Sequence, residues 1–372
     1  MRLLQAAAIP APYSTSMSPP TAPRKIFFTR NWPYAIDLLR QRIGDSAAIE
    51  IDAFASEDTC ISREELLQRV KGCSGIFCLY TDTIDAELLD AAGPSLRVVS
   101  TTSVGFNHID VEACKARNIH VGHTPGVLDV AVAETAVALT FATQRRLLEC
   151  AASAKNGEWG VWQPFQYCGS DITGSTVGVV GLGRIGATYA RMLKNGFNCK
   201  ILYTGPREKP DMAKSLGGEP GSVGYVDMET LLRESDVVSL HQPLNESSRG
   251  SISAKELALM KPNAVLINTG RGELVDQDAL VEALKSKTIA AAGLDATTPE
   301  PLPPSHPLFS LENCIILPHV GSASTKTRQV MAKIAVDNVL AGVTGEELPH
   351  APSHKVNERV EYSSSATITV DI

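Results

Sequence analysis

Short apolar, β-branched runs alternate with helically spaced segments along most of the chain. Residues 25–29, 75–80 and 96–100 are runs of strand length, and 62–70 and 85–92 between them carry helical patterns. Buried strands separated by helices predict a parallel sheet covered on both faces. From residue 128 to 154, Val130, Ala133, Val137 and Phe141 fall at helical spacing, which predicts one long helix. A second alternating series opens at Thr176, with strands expected at 176–181, 200–204, 236–241, 264–269, 290–295 and 314–318. A helical pattern over 322–341 follows. Two such series predict an α/β protein of two doubly wound parallel-sheet domains, with a cleft between them.

Composition narrows this picture. At 372 residues, with 44% hydrophobic and 20% charged residues, the chain can fill more than one core. A net charge of −7 argues against sequence-independent nucleic-acid binding, and no apolar run reaches the ~18 residues of a membrane-spanning helix. The eight cysteines form no CxxC pair and complete no zinc spacing, so they read as buried, reduced thiols and no metal is expected. The first 36 residues lack Asp and Glu but contain Arg2, Arg24, Lys25 and Arg30, the composition of an organelle transit peptide. Pro10, Pro12, Pro19, Pro20 and Pro23 interrupt any single helix there. The expectation is therefore a loose leader over 1–24 before a cytoplasmic fold, with mitochondrial import as the competing reading. The polar segment 351–372 reads as a loose tail.

The chemistry begins at Gly181-Leu182-Gly183-Arg184-Ile185-Gly186, a G-x-G-x-x-G run between an expected strand and a helical segment. Gly181 allows the tight turn, Gly183 lets backbone amides approach a pyrophosphate, and Gly186 lets the helix pack on the strand. The helix N-terminus favours the anion. An NAD site usually places an acid at the end of the next strand to hold the ribose 2′-hydroxyl. Here that strand ends in Thr204-Gly205, with Arg207 and Lys209 just beyond. Two cations without an acid suit a 2′-phosphate, so NADP(H) is expected over NAD(H).

Three further segments end expected strands, at the edge where open α/β sheets bind ligands. They carry Arg271 between two glycines, Asp295 and Glu300, and His319 followed by Gly321 and Ser322. Hydride chemistry on a 2-keto acid needs a proton donor for the carbonyl and a clamp for the carboxylate. His319 with an acidic partner, Glu300, can supply the proton. Arg271 offers a planar fork that grips a carboxylate at two points.

With these residues in place, the chain resembles the D-isomer-specific 2-hydroxyacid dehydrogenase family, whose Arg, Glu and His triad matches Arg271, Glu300 and His319. Within the family it is similar to the eukaryotic glyoxylate/hydroxypyruvate reductase branch. The similarity spans roughly residues 25–350, and includes Leu202-Tyr-Thr-Gly205, Pro299-Glu-Pro-Leu-Pro303 and Ile316-Leu-Pro-His-Val-Gly-Ser-Ala323. The resemblance implies a flavodoxin-like substrate-binding domain (25–125 plus 318–350) and an inserted Rossmann NAD(P)-binding domain (126–317). It implies NADPH-dependent reduction of glyoxylate and hydroxypyruvate, with His319 donating the proton.

In the site, the turn Ser103-Val104-Gly105 would present amides to the substrate carboxylate, with Ser322 beside the substrate. Pro243, Thr269 and Gly321 would line the cofactor, and Asp295 would hold its carboxamide. A homodimer through the coenzyme domain is implied too, with the loop from Glu158 to Pro164 reaching the neighbouring subunit. The chain departs from the family at Asn107, where Asp is usual, and at Val132, where Thr is usual. An NAD-linked phosphoglycerate dehydrogenase and a dinucleotide-sensing corepressor on the same fold are the alternatives.

Overall fold

The computed structural model describes residues 23–217 and 221–352. The expected leader and tail lie outside the described residues, apart from two residues of each; of these, Arg24 already belongs to the first strand.

Both sheets are wholly parallel. The first contains β1 (Arg24–Phe28), β2 (Ile49–Ala53), β3 (Cys73–Cys78), β4 (Val98–Thr101) and β5 (His120–Gly122), in the order β2-β1-β3-β4-β5. The second contains β6 (Thr176–Val180), β7 (Lys200–Thr204), β8 (Val223–Tyr225), β9 (Val237–Leu240), β10 (Val265–Asn268), β11 (Ala291–Leu294) and β12 (Cys314–Ile316). Its order is β12-β11-β10-β9-β6-β7-β8, so the direction of winding reverses beside β6. That switch point is where a doubly wound sheet opens a ligand crevice.

Every strand expected from the apolar runs is present. The three that the runs do not reveal, β2, β5 and β8, are all edge strands. An edge strand packs on fewer neighbours and needs no continuous apolar run; β2 alternates Ile49-Glu50-Ile51-Asp52 instead.

One expectation is corrected. The single helix read over 128–154 is two helices, Asp129–Gln144 and Leu147–Lys155, separated at Arg146, whose φ of 54° is left-handed. Arg146 Nη2 then donates to Glu149 Oε1 at 2.6 Å in the first turn of the second helix. Helical spacing of apolar residues is blind to one left-handed residue between two helices. The thiols are also only partly as expected: Cys73, Cys78, Cys114 and Cys199 are buried, whereas Cys60 and Cys168 are exposed.

After β12 the chain returns to the first sheet. The Thr325–Thr344 helix buries Ala332, Ala335, Val336, Val339 and Val343 against a core that includes Ile26, Phe28, Phe77 and Val98. Polar ties fix it there. Ser100 Oγ donates to the Ala335 carbonyl at 2.9 Å, and Asn338 Nδ2 donates to the His123 carbonyl at 3.0 Å. His319 lies on the segment that crosses back between the sheets, so its position depends on both.

Candidate active site

A cleft of about 820 Å³ runs between the carboxyl ends of the two sheets and takes walls from each. The glycine turn is built as the sequence requires. Gly181 has φ of 97°, its amide donates to the Thr204 carbonyl at 3.0 Å, and a Cβ there would stand 2.8 Å from the Gln242 amide nitrogen. Gly183 caps the Arg184–Phe197 helix, and no atom lies within 4 Å of where its Cβ would be. Its backbone is therefore open to a ligand at the positive end of a helix. Gly186 abuts the Gly181 carbonyl, leaving no room for a side chain.

Further along the same cleft, the Thr269 hydroxyl is buried without a hydrogen-bond partner among the described residues. An orphaned buried hydroxyl in the same cleft as an open helix N-terminus fits a bound dinucleotide, which would supply its missing partner. Pro243, Asp295 and Gly321 line this stretch as well. Arg184 is held by Asp129, Nε to Oδ2 at 2.9 Å, and Ile185 packs against the buried cluster of Leu128, Val132 and Met331. Val132 thus replaces the usual threonine with apolar packing beneath the cleft. Burial pushes the Asp129 carboxyl above the ordinary carboxylate range, and Arg184 opposes that shift.

At the end of β7, Thr204 is buried and Gly205 accepts at its carbonyl from the Tyr225 hydroxyl, at 2.9 Å. The two cations beyond them behave differently. Arg207 is exposed and makes no hydrogen bond or ion pair among the described residues. Lys209 turns inward instead, its Nζ donating to the Leu182 carbonyl at 3.1 Å. Burial and the nearby Arg207 lower its pKa. Arg207 and Lys209, alike in sequence, thus differ in place: one is free, the other braces the glycine turn.

The three acid–base and clamp residues converge on the opposite wall. His319 Nδ1 faces Glu300 Oε2 at 2.7 Å, and Glu300 Oε1 accepts from the Thr297 amide at 3.0 Å. The ring is further held by Tyr80, whose ring centroid lies 4.5 Å from it at an interplanar angle of 32°. His319 itself has φ of 53°, a left-handed conformation uncommon for a histidine. Asp295 maintains it: its carboxylate accepts from the Val320 amide at 2.7 Å and the Gly321 amide at 2.8 Å. Burial raises the Asp295 pKa, while these backbone donors and His319 pull it down. The resemblance implies a cofactor contact for Asp295; in the structure both its oxygens already hold the His319 loop, and the residue also lines the cleft.

Arg271 follows β10, in a turn shaped by Asn268. Gly270 N donates to Asn268 Oδ1 at 3.0 Å, and Asn268 Nδ2 donates to the Arg271 carbonyl at 2.8 Å. Arg271 Nε donates to Asn107 Oδ1 at 3.1 Å, so the departure from Asp at this position leaves the bond but not the charge. The guanidinium lies against Gly105, in the space a Cβ would need. Burial lowers the Arg271 pKa, opposed chiefly by Glu300.

The loop that carries Val104 and Gly105 is organised by a polar chain. His108 Nε2 meets Thr101 Oγ1 at 3.0 Å, Thr101 Oγ1 meets Ser103 Oγ at 3.0 Å, and Ser103 Oγ donates to the Gly105 carbonyl at 2.6 Å. The amides of Val104 and Gly105 have no acceptor among the described residues and line the cleft, and Ser322 lies there too. Tyr80, Asn268, Thr297 and Arg328 were not anticipated as site residues. Tyr80 carried a signal, since it follows β3 directly at the carboxyl edge of the first sheet. Asn268 ends β10 and Thr297 follows β11, and both act through hydrogen bonds to residues two or three positions away, whereas Arg328 reaches the cleft only through tertiary packing.

A nicotinamide-type glycine turn and an Arg–Glu–His set sharing one cleft invite comparison with known proteins. The family model described as "D-isomer specific 2-hydroxyacid dehydrogenase, NAD binding domain" matches residues 137–321. A mouse glyoxylate reductase/hydroxypyruvate reductase is 46% identical over 310 residues, 83% of this chain and 93% of the mouse protein. The chain belongs to the D-isomer-specific 2-hydroxyacid dehydrogenase family. As a member, this D-2-hydroxyacid dehydrogenase is an NAD(P)-dependent oxidoreductase of small 2-hydroxy and 2-keto acids.

The fold agrees with solved structures of the family. A glyoxylate reductase from Paecilomyes thermophila superposes with a TM-score of 0.77 at 28% identity, covering 90% of this chain and 99% of that one. An NADPH-dependent glyoxylate/hydroxypyruvate reductase from Sinorhizobium meliloti, in complex with NADP and malonate, superposes with a TM-score of 0.73 at 30% identity. The match covers 89% of this chain and 97% of the Sinorhizobium chain.

Proposed function

We propose that this dehydrogenase reduces glyoxylate to glycolate and hydroxypyruvate to D-glycerate, with NADPH preferred and NADH accepted less well. The observation that carries the reading is the His319–Glu300 pair at 2.7 Å, converging with Arg271 on one wall of the cleft. A bound nicotinamide dinucleotide supplies the hydride in this chemistry. The Gly181–Gly186 turn would hold its pyrophosphate, and Pro243, Thr269 and Gly321 would line the rest of it.

The remaining work falls to the chain's own side chains. Because Nδ1 of His319 faces Glu300, Nε2 is the nitrogen left to donate a proton to the substrate carbonyl oxygen. The Glu300 carboxylate fixes the ring through Nδ1, and the Thr297 amide holds that carboxylate in line. Arg271 grips the substrate carboxylate, helped by the free amides of Val104 and Gly105.

Preference for NADPH rests on β7 ending in Thr204 rather than an acid, and on the exposed, unpaired Arg207. The Sinorhizobium relative, named as NADPH-dependent, supports the same reading. A homodimer is part of the proposal. Trp159, Val161, Trp162 and Phe165 are 71%, 87%, 76% and 89% exposed, an apolar loop that a neighbouring subunit would cover.

Initial rates with NADPH and NADH against glyoxylate and hydroxypyruvate test the reading. Turnover of both acids, faster with NADPH, is expected; failure to reduce either acid overturns it. Sedimentation of Trp162→Ser as a monomer beside a dimeric parent would support the assembly.

A further inference from the structure

Arg328 is a charged group of the cleft that this chemistry does not use. Arg328, in the first turns of the Thr325–Thr344 helix, lines the cleft and is partly buried. Its side chain makes no hydrogen bond or ion pair with any described residue, whereas Arg271 is engaged by Asn107 and by the Gly270 carbonyl. Burial depresses the Arg328 pKa, with the Tyr80 hydroxyl and Asp295 as its charged or ionisable neighbours. Asp295 is already occupied by two backbone amides. Its guanidinium donors are thus open to the cleft, where a ligand oxygen could meet them.

Tyr80 stands next to it. Its ring lies on His319, and its hydroxyl is flanked electrostatically by Glu300, Arg328, Arg271 and Asp295. A 2-keto acid bound by this site has its carbonyl oxygen at His319 and its carboxylate at Arg271. Tyr80 and Arg328 line the same cleft, with Leu79 and Met331, and Tyr80 lies against His319, where the third substituent of the keto carbon would come within reach.

We propose that Tyr80 and Arg328 form a second subsite that recognises an oxygen-bearing substituent on C3 of a 2-keto acid. This inference rests on the reductase reading above and deepens it. The site distinguishes hydroxypyruvate, or an acid with a carboxylate at C3, from pyruvate, which carries a bare methyl group there. Both oxygen substituents share the acceptor chemistry that a guanidinium and a phenol hydroxyl can meet.

The test compares kcat/KM for hydroxypyruvate, oxaloacetate and pyruvate in the wild type, Arg328→Met and Tyr80→Phe, using NADPH. The hydroxypyruvate-to-pyruvate ratio is expected to fall about tenfold or more in Arg328→Met, because a hydrogen bond to a charged group is lost. A severalfold fall is expected in Tyr80→Phe, which preserves the ring on His319. Should the oxaloacetate ratio fall further than the hydroxypyruvate ratio, the subsite reads a carboxylate; the reverse order identifies a hydroxyl. A merely structural role for either residue would depress all three acids alike, and unchanged ratios overturn the subsite. If the wild type reduces none of the three acids, nor glyoxylate, the reductase reading falls and the subsite falls with it.

Discussion

Arg271 and Asn107 are separated by 164 residues, yet Arg271 Nε donates to Asn107 Oδ1 at 3.1 Å. That bond joins the turn after β10 of one sheet to the loop after β4 of the other. The clamp for the substrate carboxylate is therefore assembled from both halves of the molecule, and its geometry depends on how they meet.

Arg271→Lys retains the charge but loses the planar fork and the Nε donor. Charge-assisted pairs contribute roughly 1.5–3 kcal/mol, so kcat/KM for the keto acid should fall at least about tenfold. Wild-type kcat/KM in this variant would remove Arg271 from the site.

Gly105→Ala separates function from folding at the same place. The new methyl group would occupy the position of the Arg271 guanidinium, the mobile end of a side chain, so the fold should adapt by displacing the clamp. Expected are a melting temperature close to the parent's and a KM for the keto acid raised by about tenfold. A large loss of thermal stability would instead mark Gly105 as a folding requirement.

Cofactor choice is tested at the end of β7. Thr204→Asp with Arg207→Ala adds an acceptor for a ribose 2′-hydroxyl and removes the free cation, so preference should move toward NADH. Lys209 is left in place because its Nζ braces the Leu182 carbonyl. A NADPH/NADH ratio identical to that of the wild type would show that this loop does not choose the cofactor.

Glu300→Gln removes the carboxylate that holds Nδ1 of His319 while keeping the size of the side chain. If that contact orients the ring for proton transfer, kcat for reduction should fall by at least about tenfold with little change in KM. A wild-type kcat would break the proposed partnership while leaving the fold untouched.

A fifth prediction concerns stability. His108, beneath the substrate loop, has its pKa lowered from 6.5 to about 4, chiefly by burial and further by Arg271. The unfolded chain then binds a proton near pH 6.5 that the folded chain refuses until about pH 4, so stability is full above that window and declines as pH falls through it. The gap corresponds to about 3 kcal/mol. In urea titrations between those pH values, His108→Gln should show a shallower acid decline than the wild type. Parallel declines would exclude His108 as the source.

Much of this enzyme was determined by its sequence. Continuous apolar runs marked the interior strands, because a strand buried on both faces must be apolar throughout. The glycine spacing at 181, 183 and 186 marked the phosphate turn, because only a missing side chain permits a positive φ, an open amide and a close helix in so few residues. Arg271, Glu300 and His319 were legible because each follows a strand, and in a parallel sheet all strand ends meet along one edge.

Tertiary structure decided the rest. The edge strands β2, β5 and β8 owe their pairing to neighbours more than to their own composition. The turn at Arg146 depends on one backbone angle that side-chain periodicity does not encode. Lys209 and Arg207 look alike in sequence but differ in whether a carbonyl stands within reach. Asn107 meets Arg271 only because the two sheets face one cleft, and Arg328 joins the site because the Thr325–Thr344 helix packs back on the first sheet. Local pattern specifies which elements form and where their ends lie; only packing between elements sets which side chains share a few ångströms of space.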